Sequence, residues 1–371
     1  MVTEAKVREA LRQVLDPEIG KPIEDLGMLS GIDISPDGHV RVHVLLTIAG
    51  CPLKDRINTD VTGAVAPLEG VSGVEVVLGE MTGDQRESLV HGLRGAQAQE
   101  QPVFFTESDT DVIAVASGKG GVGKSSVTVN LAAAMAAEGH RVGVLDADVW
   151  GFSVPRMMGI SGRPVGFNDM ILPLESHGVK IISMGFFVSD DTPVIWRGPM
   201  LHKALQQFLG DVYWGDLDFL LVDMPPGTGD VALSLATFLP AGSMVVVTTP
   251  QDAASKVAER AGRMAQHPNV KLKLLGVVEN MAGFVCPHCG EITDLFGIGG
   301  GAKTAEALGV PTLGAVPMQV SLRQGADTGS PIVLTEPDSP AGRALRDVAR
   351  GLAKRSTTKV GKTLPLMVAP R

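Results

Sequence analysis

At 371 residues the chain exceeds one typical domain, so two are predicted. Its 32 Lys+Arg against 41 Asp+Glu leave a net charge of −9, which argues against sequence-independent nucleic-acid binding, and 4% aromatic residues leave little for base-stacking platforms. Three cysteines cannot build a disulfide framework, residues 1–5 lack the features of a signal peptide, and no run of eighteen apolar residues occurs, so a cytoplasmic chain with reduced thiols and no membrane partner is predicted.

Residues 1–92 read as a small α/β domain. Val7, Leu11, Val14 and Leu15 recur at helical spacing over 3–15, and Asp16-Pro17 stops that helix. Ile32 and Ile34 alternate towards Pro36-Asp37-Gly38, a hairpin turn, and Val40, Val42, Val44, Leu46 and Ile48 form the return strand. Gly50-Cys51-Pro52 leads into a helix over 53–65, and residues 74–78 make a last strand. Cys51, at a strand-to-helix junction, is either a thiolate favoured by the helix dipole, able to take metal transiently, or a buried structural cysteine.

Residues 93–109 are read as a linker, opening on an aperiodic stretch rich in Gly, Ala and Gln. Over 110–355 short apolar runs at 112–116, 142–145, 179–184, 219–222, 244–247 and 272–278 alternate with helical stretches. Near-continuous apolar strands belong to a mostly parallel sheet with helices on both faces. Residues 356–371 have no amphipathic face and read as a flexible tail.

Gly118-Lys119-Gly120-Gly121-Val122-Gly123-Lys124-Ser125 fits the phosphate-binding pattern G-x-x-x-x-G-K-[ST], between a buried strand at 111–117 and a helix over 125–138. The glycines let the backbone approach an anion, and the helix N-terminus offers unpaired N–H groups to it. Lys124 is expected on the β/γ-phosphates and Ser125 on Mg²⁺. The chain therefore reads as an α/β P-loop NTPase. Lys119 is a second lysine that a single-chain cradle does not need; with it the loop resembles the deviant Walker A of the signature-lysine ATPases, which implies that Lys119 crosses to the nucleotide of a partner subunit, the alternative being a solvated cation near phosphate.

The strand 141–145 ends in Asp146-Ala147-Asp148, at the sheet edge where ligands of open parallel sheets lie. One carboxylate there can order the Mg²⁺ shell and one can position the attacking water. Asp223, after the strand 220–222, has the arrangement of a Mg²⁺-side carboxylate. The following Met-Pro-Pro-Gly227-Thr-Gly229-Asp230 suits a loop that senses the γ-phosphate. Glu279-Asn280-Met281 follows the strand 272–278, and Asn280 is read either as an adenine contact or as a turn residue.

Cys286-Pro287-His288-Cys289-Gly290 puts two thiols at C-x-x-C spacing, the only cysteines of the second domain. A four-thiolate site cannot close within one copy, whereas two copies supply Cys₄ about a two-fold axis. Spacing does not separate [4Fe–4S] from a zinc ribbon, and a redox dithiol or two idle cysteines are further readings. His288 reads as a loop residue.

Assembled, these blocks resemble the Mrp/ApbC family of ATP-binding iron–sulfur cluster carriers, among the MinD/ParA-like deviant Walker A ATPases. The matching segments are 118–125, 146–151, 196–200, 214–218, 223–230, 279–281, 286–290, 316–317 and 327–331. Residues 1–92 resemble a SufT-like domain through Asp16-Pro17-Glu18, Asp25-Leu26-Gly27 and 47–52. The resemblance implies a homodimer with a [4Fe–4S] cluster on Cys286 and Cys289 of both subunits, ATP hydrolysis coupled to transfer, and apo iron–sulfur acceptors and scaffold proteins as partners. It implies further that Lys119 crosses to the partner's nucleotide, Lys124 and Ser125 contact phosphate and Mg²⁺, Asp148 positions water, Asp223 serves Mg²⁺ and Asn280 meets adenine. Phe152 and Met224 depart from the family's usual proline and threonine.

The rival reading is a ParA/MinD-like positioning ATPase with a structural zinc at the cysteine pair. The negative charge and the unpatterned tail speak against it. An electron donor that keeps its cluster is a third reading, distinguished by whether the iron is labile.

Overall fold

Val112, Ile113, Ala114, Val115 and Ala116 form an unbroken apolar run, all 6% exposed or less, and an unbroken run of that kind is stable only with cover on both faces. The computed structural model places it at the middle of a large sheet. The described residues are 2–17, 19–46, 54–82, 108–148, 151–167, 170–187, 198–229, 242–266 and 272–357, with isolated positions between. Cys51, Glu18, Asp230, Trp196, most of the linker and residues 358–371 lie outside them. Among the described residues no helix is long and apolar enough to cross a membrane.

The chain divides into two compact units. The first takes residues 1–101 with 165–172 and 211–215, and the second takes 102–164, 173–210 and 216–371.

In the first unit, α1 (Glu4–Leu11) and α2 (Lys54–Val65) accompany a three-stranded sheet of β1 (Leu29–Ile34), β2 (His39–Leu46) and β3 (Gly73–Glu80). β1 and β2 pair antiparallel with Ile34 opposite Val40, the register the Pro36-Asp37-Gly38 turn requires, while β2 and β3 run parallel. Gly38 has φ 86°, and a Cβ there would strike the Gly70 carbonyl. The period-two residues Val40, Val42 and Val44 are fully buried with Val7, Leu11, Ile57, Val61 and Val65. Full burial of each such side chain stabilises by roughly 1.5–3 kcal/mol. The first helix ends at Leu11, short of the expected 15, because the chain turns to pair Leu15 with Pro22 and Asp16 Oδ1 accepts from the Ile19 N–H. Leu15 is consequently exposed. The first unit also includes the short pair β6 (Val165–Phe167) and β7 (Met170–Leu172).

Among the described residues the second unit is built on a nine-stranded sheet. Its strands are β4 (Asp111–Ser117), β5 (Val142–Asp146), β8 (Leu174–Ser176), β9 (Val179–Ser183), β10 (Phe219–Asp223), β11 (Ser243–Thr248), β12 (Lys273–Val285), β13 (Ile292–Thr293) and β14 (Thr312–Met318). The order is β13-β12-β11-β4-β10-β5-β9-β8, with β14 also on β12. Neighbours run parallel except β8 on β9 and β13 on β12. Among the described residues the helices of this unit are α3 (Lys124–Ala137), α4 (Val154–Met157), α5 (Gly198–Gly210), α6 (Asp252–Ala265), α7 (Gly300–Leu308), α8 (Val320–Thr328), α9 (Ile332–Thr335) and α10 (Pro340–Thr357). α3, α9 and α10 share one core with Ile113, Val115, Val144, Leu221 and Val245.

All six expected strands of this unit are present. β12, however, continues through Glu279-Asn280-Met281 to Val285 rather than turning there, with Met281 at φ 60° and Gly283 at φ 81° inside it. Pairing with β14 beyond Asn280 carries the strand through that irregularity. This extension joins the two regions of chemical interest.

Candidate nucleotide site and cysteine hairpin

β5 and β10 end in register at Asp146 and Asp223, and β4, whose Val115 lies opposite Asp223, runs two residues further to Ser117, so all three carboxyl ends fall at one end of the sheet. The loop leaving β4 is shaped by what its glycines lack. A Cβ on Gly118 would sit within 2.5 Å of the Val257 and Ala258 backbone, and one on Gly123 would sit 2.2 Å from Asn280 Nδ2. Gly121 and Gly123 both have φ 80°, a left-handed conformation that glycine adopts at little cost. Gly123 is the N-cap of α3, no side chain caps that end, and its first turn carries no acidic residue. That leaves first-turn N–H groups for an anion, which is the fit expected of a phosphate cradle.

Lys124 is buried, and its ammonium lies 2.7 Å from Asp223 Oδ1 and 3.8 Å from Asp148 Oδ2. Asp223 is fully buried. It also accepts hydrogen bonds from the hydroxyls of Ser125 and Thr128, the latter at 3.0 Å. The Ser125 hydroxyl and the Asp223 carboxylate are thus adjacent hard oxygen donors, the chemistry Mg²⁺ selects. Thr128 was not foreseen from the sequence. Its position one helical turn after Lys124, on the same face, is the signal that would have found it.

Asp146 is a different kind of carboxylate. Burial, and next the neighbouring Asp223 charge, push it up to about 8, against the opposing hydrogen bond from Ser183. It accepts from Ser183 Oγ at 2.9 Å, from the Asp148 N–H at 3.2 Å and from the Val154 N–H at 3.3 Å. It therefore fixes the course of the chain around Asp148, whose own carboxylate faces Lys124. Phe152 packs its ring over Gly185, where a Cβ would come within 2.4 Å of it.

The loop after β10 returns to β4: the Gly227 N–H donates to the Ser117 carbonyl at 2.8 Å, with Gly227 at φ 88°. Lys119 is exposed and pairs with no carboxylate among the described residues, while its backbone carbonyl accepts from Ser117 Oγ. Asn280 sits under the loop and donates Nδ2–H to the Val122 carbonyl at 2.8 Å. Beside it, the Glu279 carboxylate accepts from the Gly301 N–H at the start of α7.

Lys124, Ser125, Asp148 and Asp223 are thus brought together with the glycine loop and Asn280. The cysteines stand apart from them, at the far end of β12. Cys286 N–H donates to the Glu291 carbonyl and Gly290 N–H to the Cys286 carbonyl, both at 2.9 Å, closing a tight hairpin between β12 and β13. Both thiols are free, and Cys289 is exposed. The backbone N–H groups of Cys289 and then His288, and the Cys289 thiol, pull the Cys286 thiol below its usual value, which favours thiolate and so soft-metal ligation. No group of three or more His, Cys, Asp or Glu metal ligands comes together among the described residues.

Comparison with known proteins agrees with this geometry. The family model described as NUBPL iron-transfer P-loop NTPase matches residues 109–353, and that of an iron–sulfur cluster assembly protein matches residues 4–76. An iron–sulfur cluster carrier protein of Mycobacterium tuberculosis is 52% identical over 370 residues, covering 98% of this chain and 96% of that protein. One from Synechocystis is 43% identical over 359 residues, covering 95% and 98%. Among solved structures, a nucleotide-binding protein from Archaeoglobus fulgidus in complex with ADP is 37% identical, with a TM-score of 0.54 over 62% of this chain and 89% of that one.

Proposed function

The chain belongs to the NUBPL iron-transfer P-loop NTPase family, and we propose that within it this protein is an ATP-hydrolysing carrier that assembles or transfers a [4Fe–4S] cluster to apo-proteins. The observation that carries the reading is the single strand β12. It bears at Asn280 a hydrogen bond to the phosphate loop and ends at Val285, directly before Cys286 of a thiolate-favouring hairpin.

In this reading residues 118–125 cradle the triphosphate, with Lys124 leaving Asp223 for the β/γ-phosphates. Mg²⁺, held by Ser125 and by Asp223, would neutralise charge developing on the transferred phosphoryl group. Asp148 positions the attacking water. The carboxamide oxygen of Asn280 is left for the adenine amino group, its nitrogen being committed to Val122. Lys119, exposed on the rim, reaches the nucleotide of a second copy. The cluster is cargo, held by Cys286 and Cys289 of two copies, since one chain supplies two thiolates and four are needed.

The experiment is transfer of the cluster, reconstituted anaerobically with iron and sulfide, to an apo [4Fe–4S] acceptor with and without ATP. Acceptor activation that responds to ATP supports the reading. Retention of stoichiometric zinc after reconstitution, with no activation, would replace it with a structural zinc knuckle.

A further inference from the structure

Residues 287–298 are twelve consecutive exposed positions, beginning inside the cysteine hairpin. Eight large hydrophobic side chains are exposed among the described residues, and four of them fall here: Ile292 at 55%, Leu295 at 57%, Phe296 at 37% and Ile298 at 75%. The segment is held in shape rather than loose. Ile292 pairs with Val285 across β12 and β13 and presses on Gly283, where a Cβ would come within 2.6 Å of it. Gly297 and Gly299 turn the chain at φ 87° and 77° into the buried start of α7. From 282 to 302 the only charges are Glu291 and Asp294, with no Lys or Arg. An exposed, low-charge apolar cluster of this kind marks an interaction surface.

We propose that this surface is the seal between two copies of this chain around their shared cluster, with Leu295, Phe296 and Ile298 packing on the same segment of the second copy. The inference rests on the reading of Cys286 and Cys289 as half of a four-thiolate cage. The occupant follows from that thiol count. No third ligand joins the two cysteines among the described residues, so closure requires a second hairpin. Two identical hairpins facing one cluster put a two-fold axis between them, and an isologous contact brings residues beside the axis against their own counterparts. The apolar run starts three residues after Cys289, and its first member, Ile292, pairs with Val285 beside Cys286, which places the start of the run at that axis. Packed there, it excludes water from the cluster.

The test uses the full chain carrying Leu295→Asp and Ile298→Asp, reconstituted anaerobically with iron and sulfide and analysed by sedimentation equilibrium. Both side chains are more than half exposed, so the apo variant keeps the parent's melting midpoint and ATP affinity. The expected result is a dimer dissociation constant raised at least tenfold, with iron per chain falling in step with dimer loss. As a variant that adds no charge, Ile298→p-benzoylphenylalanine in the holo-protein is expected to photocrosslink to residues 292–298 of a second chain. A parental dissociation constant in the double variant, or a holo-dimer that yields no such crosslink, overturns the inference. A separate control protects the attribution: if Cys286→Ser with Cys289→Ser keeps the parent's iron, it is the cage reading that has failed, not the placement of the apolar seal.

Discussion

Asn280 Nδ2 stands 2.8 Å from the Val122 carbonyl, and a Cβ on the adjoining Gly123 would come within 2.2 Å of that same nitrogen. The phosphate loop is therefore fitted against β12 as closely as sterics permit. Anything that shifts the loop on nucleotide binding acts on a strand that ends at Val285, one residue before Cys286.

Asn280→Ala removes this contact and leaves the Val122 carbonyl without its donor. A lost hydrogen bond of this kind costs about 1–3 kcal/mol. Inorganic tripolyphosphate, which has no base, should bind several-fold more weakly than to the parent, and ATP should lose more. Isothermal titration with both ligands checks this; unchanged tripolyphosphate binding would show that Asn280 does not set the loop.

Thr128 Oγ lies 3.0 Å from both the Lys124 carbonyl and Asp223 Oδ1, so its proton helps satisfy a carboxylate with no solvent. Thr128→Val should destabilise the nucleotide-free protein by about 1–3 kcal/mol, whereas Thr128→Ser keeps the hydroxyl and most of the stability. Denaturant unfolding of the two variants measures the difference, and equal losses would point to packing of the methyl group instead.

Asp146 gives the nucleotide-free protein a pH dependence of definite sign. Its folded value, about 8, lies above the ordinary 3.8, so the fold holds this proton more tightly than the unfolded chain does. Stability from this group is therefore greatest at low pH and falls as pH rises between about 4 and about 8. Asp146→Asn should flatten that part of the profile, read as the denaturation midpoint at pH 5 and at pH 8. A variant with the parent's slope would remove Asp146 as its source.

The ends of strands were legible because buried parallel strands are unbroken apolar runs, and a glycine-rich loop followed by Lys-Ser announces a phosphate cradle. The carboxylates were legible from their place after such strands. What escaped was set by tertiary contact. Leu15 has helical spacing but is taken by Pro22, and Glu279-Asn280-Met281 looks like a turn because its polar residues break the apolar run of β12. The role of Asp146 as a buried anchor for Ser183, Asp148 and Val154 depends on partners from 2 to 37 residues away, which no local pattern reports. The apolar run after Cys289 was readable as letters, but only its exposure makes it a surface.

Lys119→Ala separates the two lysines of the loop. Lys124 is buried against Asp223 and Lys119 is exposed. Lys124→Ala should abolish both ATP binding and turnover. Lys119→Ala should leave binding by a single chain near the parental value while suppressing turnover at least tenfold, as loss of a transition-state contact supplied by a second copy does. Undiminished turnover would remove the trans contact.

Shared thiols are the centre of the account, and native mass spectrometry under anaerobic conditions addresses them directly. The reconstituted protein should run as two chains carrying one four-iron, four-sulfide cluster, and Cys286→Ala or Cys289→Ala should abolish the bound iron. A single chain that holds its full metal complement would contradict it.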